Sequence, residues 1–326
     1  MKINSHWTSA IVTALRDITP TVREFTIQPA DGPAETHAPG SHLQVQVPVN
    51  GAPQLRTYSL VGEPDRRFYR IAVKRMDEGR GGSLAMWKLT EGDSLQVGAP
   101  INNFPLDFTA PAYLLVAGGI GVTPLVLMAQ ALARRGANVR MVYGVRSNDE
   151  MAYGDELRDC LGDALYAAAG VPVDFDREIA ALAPGAQMYV CGPVPMLDAA
   201  RHAWDAAGRA SADLRYETFG SSGRFPSQPF RVRVPRHDLD IVVPADCSLL
   251  DALEKAGVQT LHDCKRGECG LCAVDVIAVE GSVDHRDVYL SEHEKQENRR
   301  ICACVSRVVG SVTLDSAWRP DFETVR

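Results

Sequence analysis

The chain has no excess of positive charge. Its 34 Lys and Arg stand against 41 Asp and Glu, for a net charge of −7, and that balance argues against duplex nucleic acid, which demands a basic face. It also lacks an unbroken apolar run of membrane-spanning quality. Residues 113–133 carry no charge for 21 positions, which is near the length of a bilayer span. Gly118, Gly119, Gly121 and Pro124 interrupt the run, however, and Thr123 and Gln130 are polar. A buried strand at 113–117, a glycine turn and a helix from about Pro124 account for the same residues, since proline suits a first helical turn. Residues 1–12 hold no apolar core for an export signal. That absence points to a reducing cytoplasm and argues against a disulfide framework for the eight cysteines. No internal repeat and no low-complexity tract is present. The 326 residues suffice for two or three domains.

Zinc knuckles are scarce too, with one C-x₂-C pair where a structural zinc site normally shows two. Present instead is Cys264-Lys265-Arg266-Gly267-Glu268-Cys269-Gly270-Leu271-Cys272, with Cys302 and Cys304 far downstream. C-x₄-C-x₂-C with a distant fourth cysteine is the plant-type [2Fe–2S] ligand pattern. Two irons need four thiolates, and the amides of a loop wrapped round the cluster can donate to its sulfurs. Gly267 and Gly270 keep that loop tight and free of side chains that would crowd the approach. Cys264, Cys269 and Cys272 are the expected ligands, completed by Cys304 or Cys302. Cys160, Cys191 and Cys247 read as buried small hydrophobes.

Residues 1–107 read as β. Short alternating runs at 42–49, 56–61 and 68–74 are separated by Gly, Pro and Asp clusters, which predicts a small antiparallel β-barrel. Strand–helix alternation follows: strands at 113–117, 139–145 and 188–191 precede helices at 125–135, 153–159 and 195–207. This predicts a parallel α/β sheet over 108–220. Residues 221–229, rich in Ser, Gly and Pro, read as a linker. A hairpin at 230–235 and 239–243, then a helix at 248–256 capped by Ser248, lead into the cysteine loop. The cluster therefore belongs to a module over 230–326.

Other short elements suggest bound phosphates. Arg56-Thr57-Tyr58-Ser59 lies on a barrel strand. Gly79-Arg80-Gly81-Gly82-Ser83 precedes a helix expected at 84–89, and a glycine turn entering a helix offers free amides to a phosphate. Two such elements beside a small barrel favour FMN. Ala117-Gly118-Gly119-Ile120-Gly121-Val122-Thr123-Pro124 stands at a strand's C-terminal end, where glycines let a dinucleotide approach. Close packing of helix on strand would also explain the glycines. Cys191-Gly192-Pro193 ends a later strand in the same manner. Arg146 is either a contact to an adenosine phosphate or a solvated loop residue, and it leaves NADPH open beside NADH.

In this order of parts the chain resembles the phthalate dioxygenase reductase and vanillate demethylase reductase family over nearly its whole length. The resemblance implies a multidomain fold: an FMN-binding antiparallel β-barrel, an NAD-binding α/β domain with a parallel sheet, and a β-grasp plant-type ferredoxin domain. It implies that Arg56 binds the FMN phosphate, that Tyr58 lies against the flavin and that Ser59 sits near its reactive edge. Thr57, Gly81, Gly82 and Ser83 complete that site. Gly118, Gly119, Gly121, Thr123, Pro124, Arg146, Cys191, Gly192 and Pro193 would meet NADH. Phe219 would cover the flavin face as a gate, or else cap the sheet as a hydrophobe.

Cys304-Val305-Ser306-Arg307 matches the segment that carries the family's fourth ligand and favours Cys304 over Cys302. Asp284-His285-Arg286-Asp287 matches as well. One departure is Ile101, where the family often has Arg. The implied activity passes electrons from NADH through FMN to the cluster, and on to a separate Rieske-type aromatic oxygenase or O-demethylase. An alternative keeps the fold for a self-sufficient NAD(P)H reductase of small acceptors. The chain shows no Rieske Cys/His site and no His₂-carboxylate iron site, so oxygen chemistry belongs to a partner. Because the cofactors carry the redox steps, no acid–base pair is expected. Lys265, Arg266, Arg299 and Arg300 suggest either a basic collar at the cluster mouth, suited to an acidic acceptor surface, or solvated charges offsetting an anionic cluster.

Overall fold

A computed structural model describes residues 7–49, 51–77, 81–219, 223 and 225–315. Gly79, Arg80, Gly220 and three residues of the expected linker (221, 222 and 224) lie outside the described residues. The chain divides into two compact units, one reaching Glu217 and the other starting at Thr218.

The first sheet is built from β1 (Thr8–Thr19), β2 (Val22–Pro29), β3 (Ser41–Val49), β4 (Ala52–Ser59) and β5 (Tyr69–Lys74). Helix α1 (Gly82–Trp87), β6 (Ser94–Val97) and β7 (Ile101–Asn102) follow. Every pairing is antiparallel, in the order β4-β3-β6-β1-β2-β5, with β7 on β3. A Leu60–Ile71 bridge and the Val61 N–H donating to the Arg70 carbonyl at 2.9 Å bring the two edges together and close a barrel. Alternation explains its filling. On β3, Leu43, Val45 and Val47 are fully buried while Gln44 and Gln46 face outward. Each such apolar side chain stabilises the fold by about 1.5–3 kcal/mol. Strand β1 escaped the period-two reading because register shifts at Val12/Ala14 and Asp17/Thr19 break its alternation. Helix α1 begins two residues before the expected start.

The same unit continues with β8 (Tyr113–Gly118), α2 (Thr123–Arg134), β9 (Val139–Val145), α3 (Gly154–Leu161), β10 (Leu165–Ala169) and α4 (Phe175–Ala180). It ends with β11 (Gln187–Cys191), α5 (Val194–Ala206) and β12 (Leu214–Glu217). The strands are all parallel, in the order β10-β9-β8-β11-β12. All six residues of β8 are buried, as expected where helices cover a parallel sheet on both faces. The charge-free run at 113–133 is therefore β8 and α2. Among the described residues no helix is long and apolar enough to cross a membrane. Strand order reverses between β8 and β11, which opens a crevice at their C-terminal ends.

The second unit holds β13 (Phe230–Val234), β14 (Leu239–Val243), α6 (Leu249–Lys255), β15 (Ala273–Asp284), α7 (Glu292–Glu297), β16 (Arg300–Cys302) and β17 (Arg307–Asp315). Its mixed sheet runs β14-β13-β17-β15-β16, with β13 parallel to β17 and the other pairs antiparallel. Val232, Val234, Leu249, Leu250, Ile301 and Leu314 build its core. Ser248 caps α6, its Oγ accepting from the Asp251 amide at 3.0 Å.

Candidate functional site

Residues 56–59 occupy the end of β4. Arg56 reaches Gly82, where an added Cβ would lie 2.1 Å from Arg56 Nε. The strand motif and the glycine turn therefore form one cradle, floored by the bare backbone of Gly82. Gly81 enters α1 with φ +74°, in the left-handed region. Arg56 also donates to Gln54 Oε1 at 2.6 Å and to the Leu55 carbonyl at 2.9 Å, which fixes its guanidinium. Ser83 Oγ accepts from the Met76 amide at 3.0 Å and so closes the neck of the turn. Ser59 is buried and Thr57 half-buried; Tyr58 packs half-buried against the barrel core, and desolvation pushes its phenol up. A guanidinium, an open glycine backbone and a buried hydroxyl fit the phosphate and ring of FMN.

The two glycine turns of the α/β sheet meet in the crevice. Strands β8 and β11 are neighbours, pairing Ala117 with Cys191. An added Cβ at Gly121 would lie 2.2 Å from the Cys191 carbonyl oxygen, and one at Gly118 would lie 2.7 Å from Met196 Sδ and from Pro193 Cδ. Gly192 and Gly118 therefore lie backbone on backbone, so these glycines satisfy the close-packing reading. Gly119 differs, with φ +53° and nothing within 4 Å of an added Cβ. Thr123 is buried, its hydroxyl donating to the Ile120 carbonyl at 3.0 Å; Pro124 follows in the first turn of α2. Cys191 is fully buried. Arg146 is exposed just beyond β9, the neighbour of β8. The crevice fits a dinucleotide lying across the strand ends.

One supporting cluster had no sequence motif. The Asp107 amide donates to Tyr189 Oη at 2.8 Å, Tyr189 donates to Gln187 Oε1 at 3.0 Å, and Gln187 Nε2 donates to Asp107 Oδ2 at 3.0 Å. Phe104 packs on the Tyr189 ring with centroids 5.6 Å apart. The 102–106 loop, which follows the barrel, is thereby tied to β11. Residues 80 apart in sequence give no local signal of such a contact.

In the second unit the cysteines gather as a pair and a trio. Cys264 and Cys269 share a side-chain hydrogen bond, and the amides of Arg266, Glu268 and Cys269 donate to Cys264 Sγ, the first at 3.4 Å. Cys272 accepts from both Cys302 and Cys304, which favours its thiolate and raises the other two. The Gly267 amide donates to Cys304, whereas Cys302 lies on β16 opposite Ala273. Among the described residues no three His, Cys, Asp or Glu side chains are arranged to hold a single metal ion. Two thiols per iron, with loop amides aimed at sulfur, is the donor set of a [2Fe–2S] cluster.

Gly267 and Gly270 have φ +79° and +72°, and the reason for glycine lies in the protein. A Cβ at Gly267 would meet Val305 Cγ2 at 2.6 Å and Asp287 Cα at 2.9 Å; one at Gly270 would meet the Tyr289 ring at 2.2 Å.

The basic collar does not form. Lys265 pairs with Asp251 at 3.7 Å, Arg266 with Glu268 at 3.0 Å, Arg299 with Glu297 at 3.6 Å and Arg300 with Asp275 at 3.6 Å. Arg266 is buried, and Glu268 also accepts from the Thr218 amide at 3.0 Å. Thr218 is buried and Phe219 half-buried. Exposed around the loop are the apolar Leu261 and Leu271, Tyr289 and the acidic Asp263.

Residues 284–287 hold the loop and the end of the expected linker. Asp287 is fully buried and accepts from the Leu290 amide at 2.9 Å and from Ser306 Oγ at 3.0 Å. Arg286 pairs with Asp284 at 2.7 Å and donates to Ser227 Oγ and the Phe225 carbonyl. Arg307 donates to the Gln228 carbonyl at 2.9 Å. Phe225, Ser227 and Gln228 of the expected linker are thus hydrogen-bonded to the module that follows it. Replacing Asp284 with alanine strands a buried guanidinium, at a cost of about 3–5 kcal/mol. The melting midpoint of the second unit should fall by at least about 10 °C. Calorimetry showing an unchanged transition would refute that role.

Two family models match the chain: an oxidoreductase NAD-binding domain over residues 115–164 and a 2Fe-2S iron-sulfur cluster binding domain over residues 233–309. The chain is 38% identical over 307 residues to the heme-dependent oxidative N-demethylase beta subunit of Ectopseudomonas mendocina, covering 93% of this chain and 96% of that protein. It is 36% identical over 291 residues to the phthalate dioxygenase reductase of Burkholderia cepacia, covering 86% and 87%. A solved phthalate dioxygenase reductase, described as a modular structure for electron transfer from pyridine nucleotides to [2Fe–2S], superposes with a TM-score of 0.75. The two are 33% identical, and the match covers 95% of this chain and 98% of that one.

Proposed function

The chain belongs to the phthalate dioxygenase reductase family, and on that premise we propose that its electrons go to a Rieske-type non-haem iron oxygenase acting on an aromatic compound. It is an NADH-dependent oxidoreductase that carries FMN and a [2Fe–2S] cluster, and it serves as the reductase component of an oxygenase system. FMN, when bound, takes two electrons from NADH and releases them singly to the cluster. The chain's own residues hold the participants. Arg56, seated on Gly82, clamps the flavin phosphate with Gly81 and Ser83, while Thr57, Tyr58 and Ser59 line its ring. Gly118–Pro124 and Cys191–Pro193 admit the dinucleotide, and Arg146 takes its adenosine end. Phe219 would serve as the cover of the flavin face. Cys264, Cys269, Cys272 and Cys304 hold the cluster. Cysteines kept reduced as cluster ligands suit a reducing cytoplasm as its location.

The observation that carries this reading is the meeting of the three motif sets in two cradles and a paired-thiol loop. The phthalate dioxygenase reductase relative favours an aromatic substrate for the partner. A second reading rests on the N-demethylase relative and gives the electrons to a haem-dependent N-demethylase. Anaerobic mixing of the NADH-reduced chain with purified oxygenases of each kind separates the two. Fast reduction of a Rieske centre with an unreduced haem supports the first, and the reverse result overturns it.

A further inference from the structure

Where the barrel and the parallel sheet, which form one unit, meet, two grooves lie side by side. One groove, of 830 Å³, is lined by Arg16, Glu24, Gln130 and Tyr153 among others. The second, of 630 Å³, is lined by Arg16, Asn148, Tyr153 and Glu156 among others. Between them stands a polar pillar. Tyr153 Oη donates to Glu24 Oε2 at 2.8 Å, with both residues buried. Arg16 of β1 bridges the two halves, reaching Glu24 at 3.3 Å and Glu156 at 3.5 Å. Lys74 of β5 adds a bond to Glu150 at 3.0 Å.

Two features set this pillar apart from ordinary surface pairing. Tyr153 enters α3 with φ +59°, a left-handed backbone that a bulky residue keeps only where its surroundings enforce it. Burial and the Glu24 carboxylate also push its phenol up, so the hydroxyl stays protonated and always donates. A strained residue held for one buried hydrogen bond between two grooves fixes the geometry of this edge of the interface.

We propose that the Glu24–Tyr153 bond is a positioning latch that sets the parallel sheet on the barrel, and with it the rate of hydride delivery from NADH to FMN. The reacting centres depend on sub-ångström placement, and a misplacement of about 1 Å made far from the chemistry costs about 100-fold. The inference rests on the NADH and FMN chemistry of the family and assigns residues that touch neither cofactor.

The test is stopped-flow reduction of the FMN-loaded holoenzyme by NADH, joined to hydrogen exchange of the β2 and 150–156 segments. Tyr153→Phe, which removes only the hydroxyl, and Glu24→Ala should each slow flavin reduction at saturating NADH by about 10–100-fold, with the NADH KM changing far less. Both should speed exchange in those segments. The double variant should be no slower than Glu24→Ala, and Glu24→Gln, which keeps an oxygen acceptor, should recover most of the rate. Tyr153→Phe reduced as fast as the parent, or losses that multiply in the double variant, would overturn the latch. A parent that NADH does not reduce would instead overturn the hydride reading itself.

Discussion

A Cys304→Ala chain is expected to purify with FMN and without its [2Fe–2S] cluster, while Cys302→Ala keeps both. The two thiols are close neighbours, and both touch Cys272. Their settings differ. Both belong to the apolar core, but Cys304 receives the Gly267 amide from inside the loop, whereas Cys302 is a strand residue opposite Ala273. A thiolate that ligates an anionic cluster is favoured by such an amide. Losing an outer partner of a metal ligand typically costs 10–100-fold, so losing the ligand itself should cost oxygenase reduction about 100-fold or more. NADH–ferricyanide turnover, which needs only flavin, should stay within about twofold, because the flavin cradle lies in the other unit and electrons leave through the flavin alone. Iron and sulfide analysis with the visible spectrum decides it. A cluster kept in Cys304→Ala and lost in Cys302→Ala would exchange the two assignments.

Gly121→Ala should raise the NADH KM by about 5–150-fold, taking overpacking strain of about 1–3 kcal/mol at 1.4 kcal/mol per factor of ten. Its Cβ would sit 2.2 Å from the Cys191 carbonyl oxygen and 2.9 Å from the Gly192 nitrogen. Both are backbone atoms that cannot swing away, so the two turns must part. Gly119→Ala is the contrast. Nothing lies within 4 Å of its added Cβ, and the cost is that of φ +53° alone, about 1–2 kcal/mol. The two variants therefore separate steric closure of the crevice from backbone strain. The KM should be read beside the FMN content, which neither change should alter. Gly121→Ala with less effect than Gly119→Ala would show that the turns do not need their contact.

The cluster loop was the most legible part of the sequence, because three of its four ligands lie within nine residues and their spacing is set by the cluster. The α/β region was nearly as readable: β9 spans the expected 139–145, and α5 is offset from 195–207 by one residue. The barrel's ends and the twelve-residue β15 were less so. Bulges interrupt β1, and β15 exposes side chains on both faces, so neither shows clean alternation. Long-range polar contacts left no trace in sequence. Glu24 and Tyr153 are 129 positions apart, and their pairing follows from packing alone. The collar failed for a related reason: the acids that neutralise Lys265 and Arg300 come from α6 and β15.

The central claim is a path from NADH through FMN to a cluster within one chain. Anaerobic titration of the purified protein with NADH, followed by visible absorbance and low-temperature EPR, tests it most directly. Flavin bleaching together with the signal of a reduced [2Fe–2S] cluster is the predicted result. A colourless protein, or a flavin that bleaches while no iron–sulfur signal develops, would contradict it.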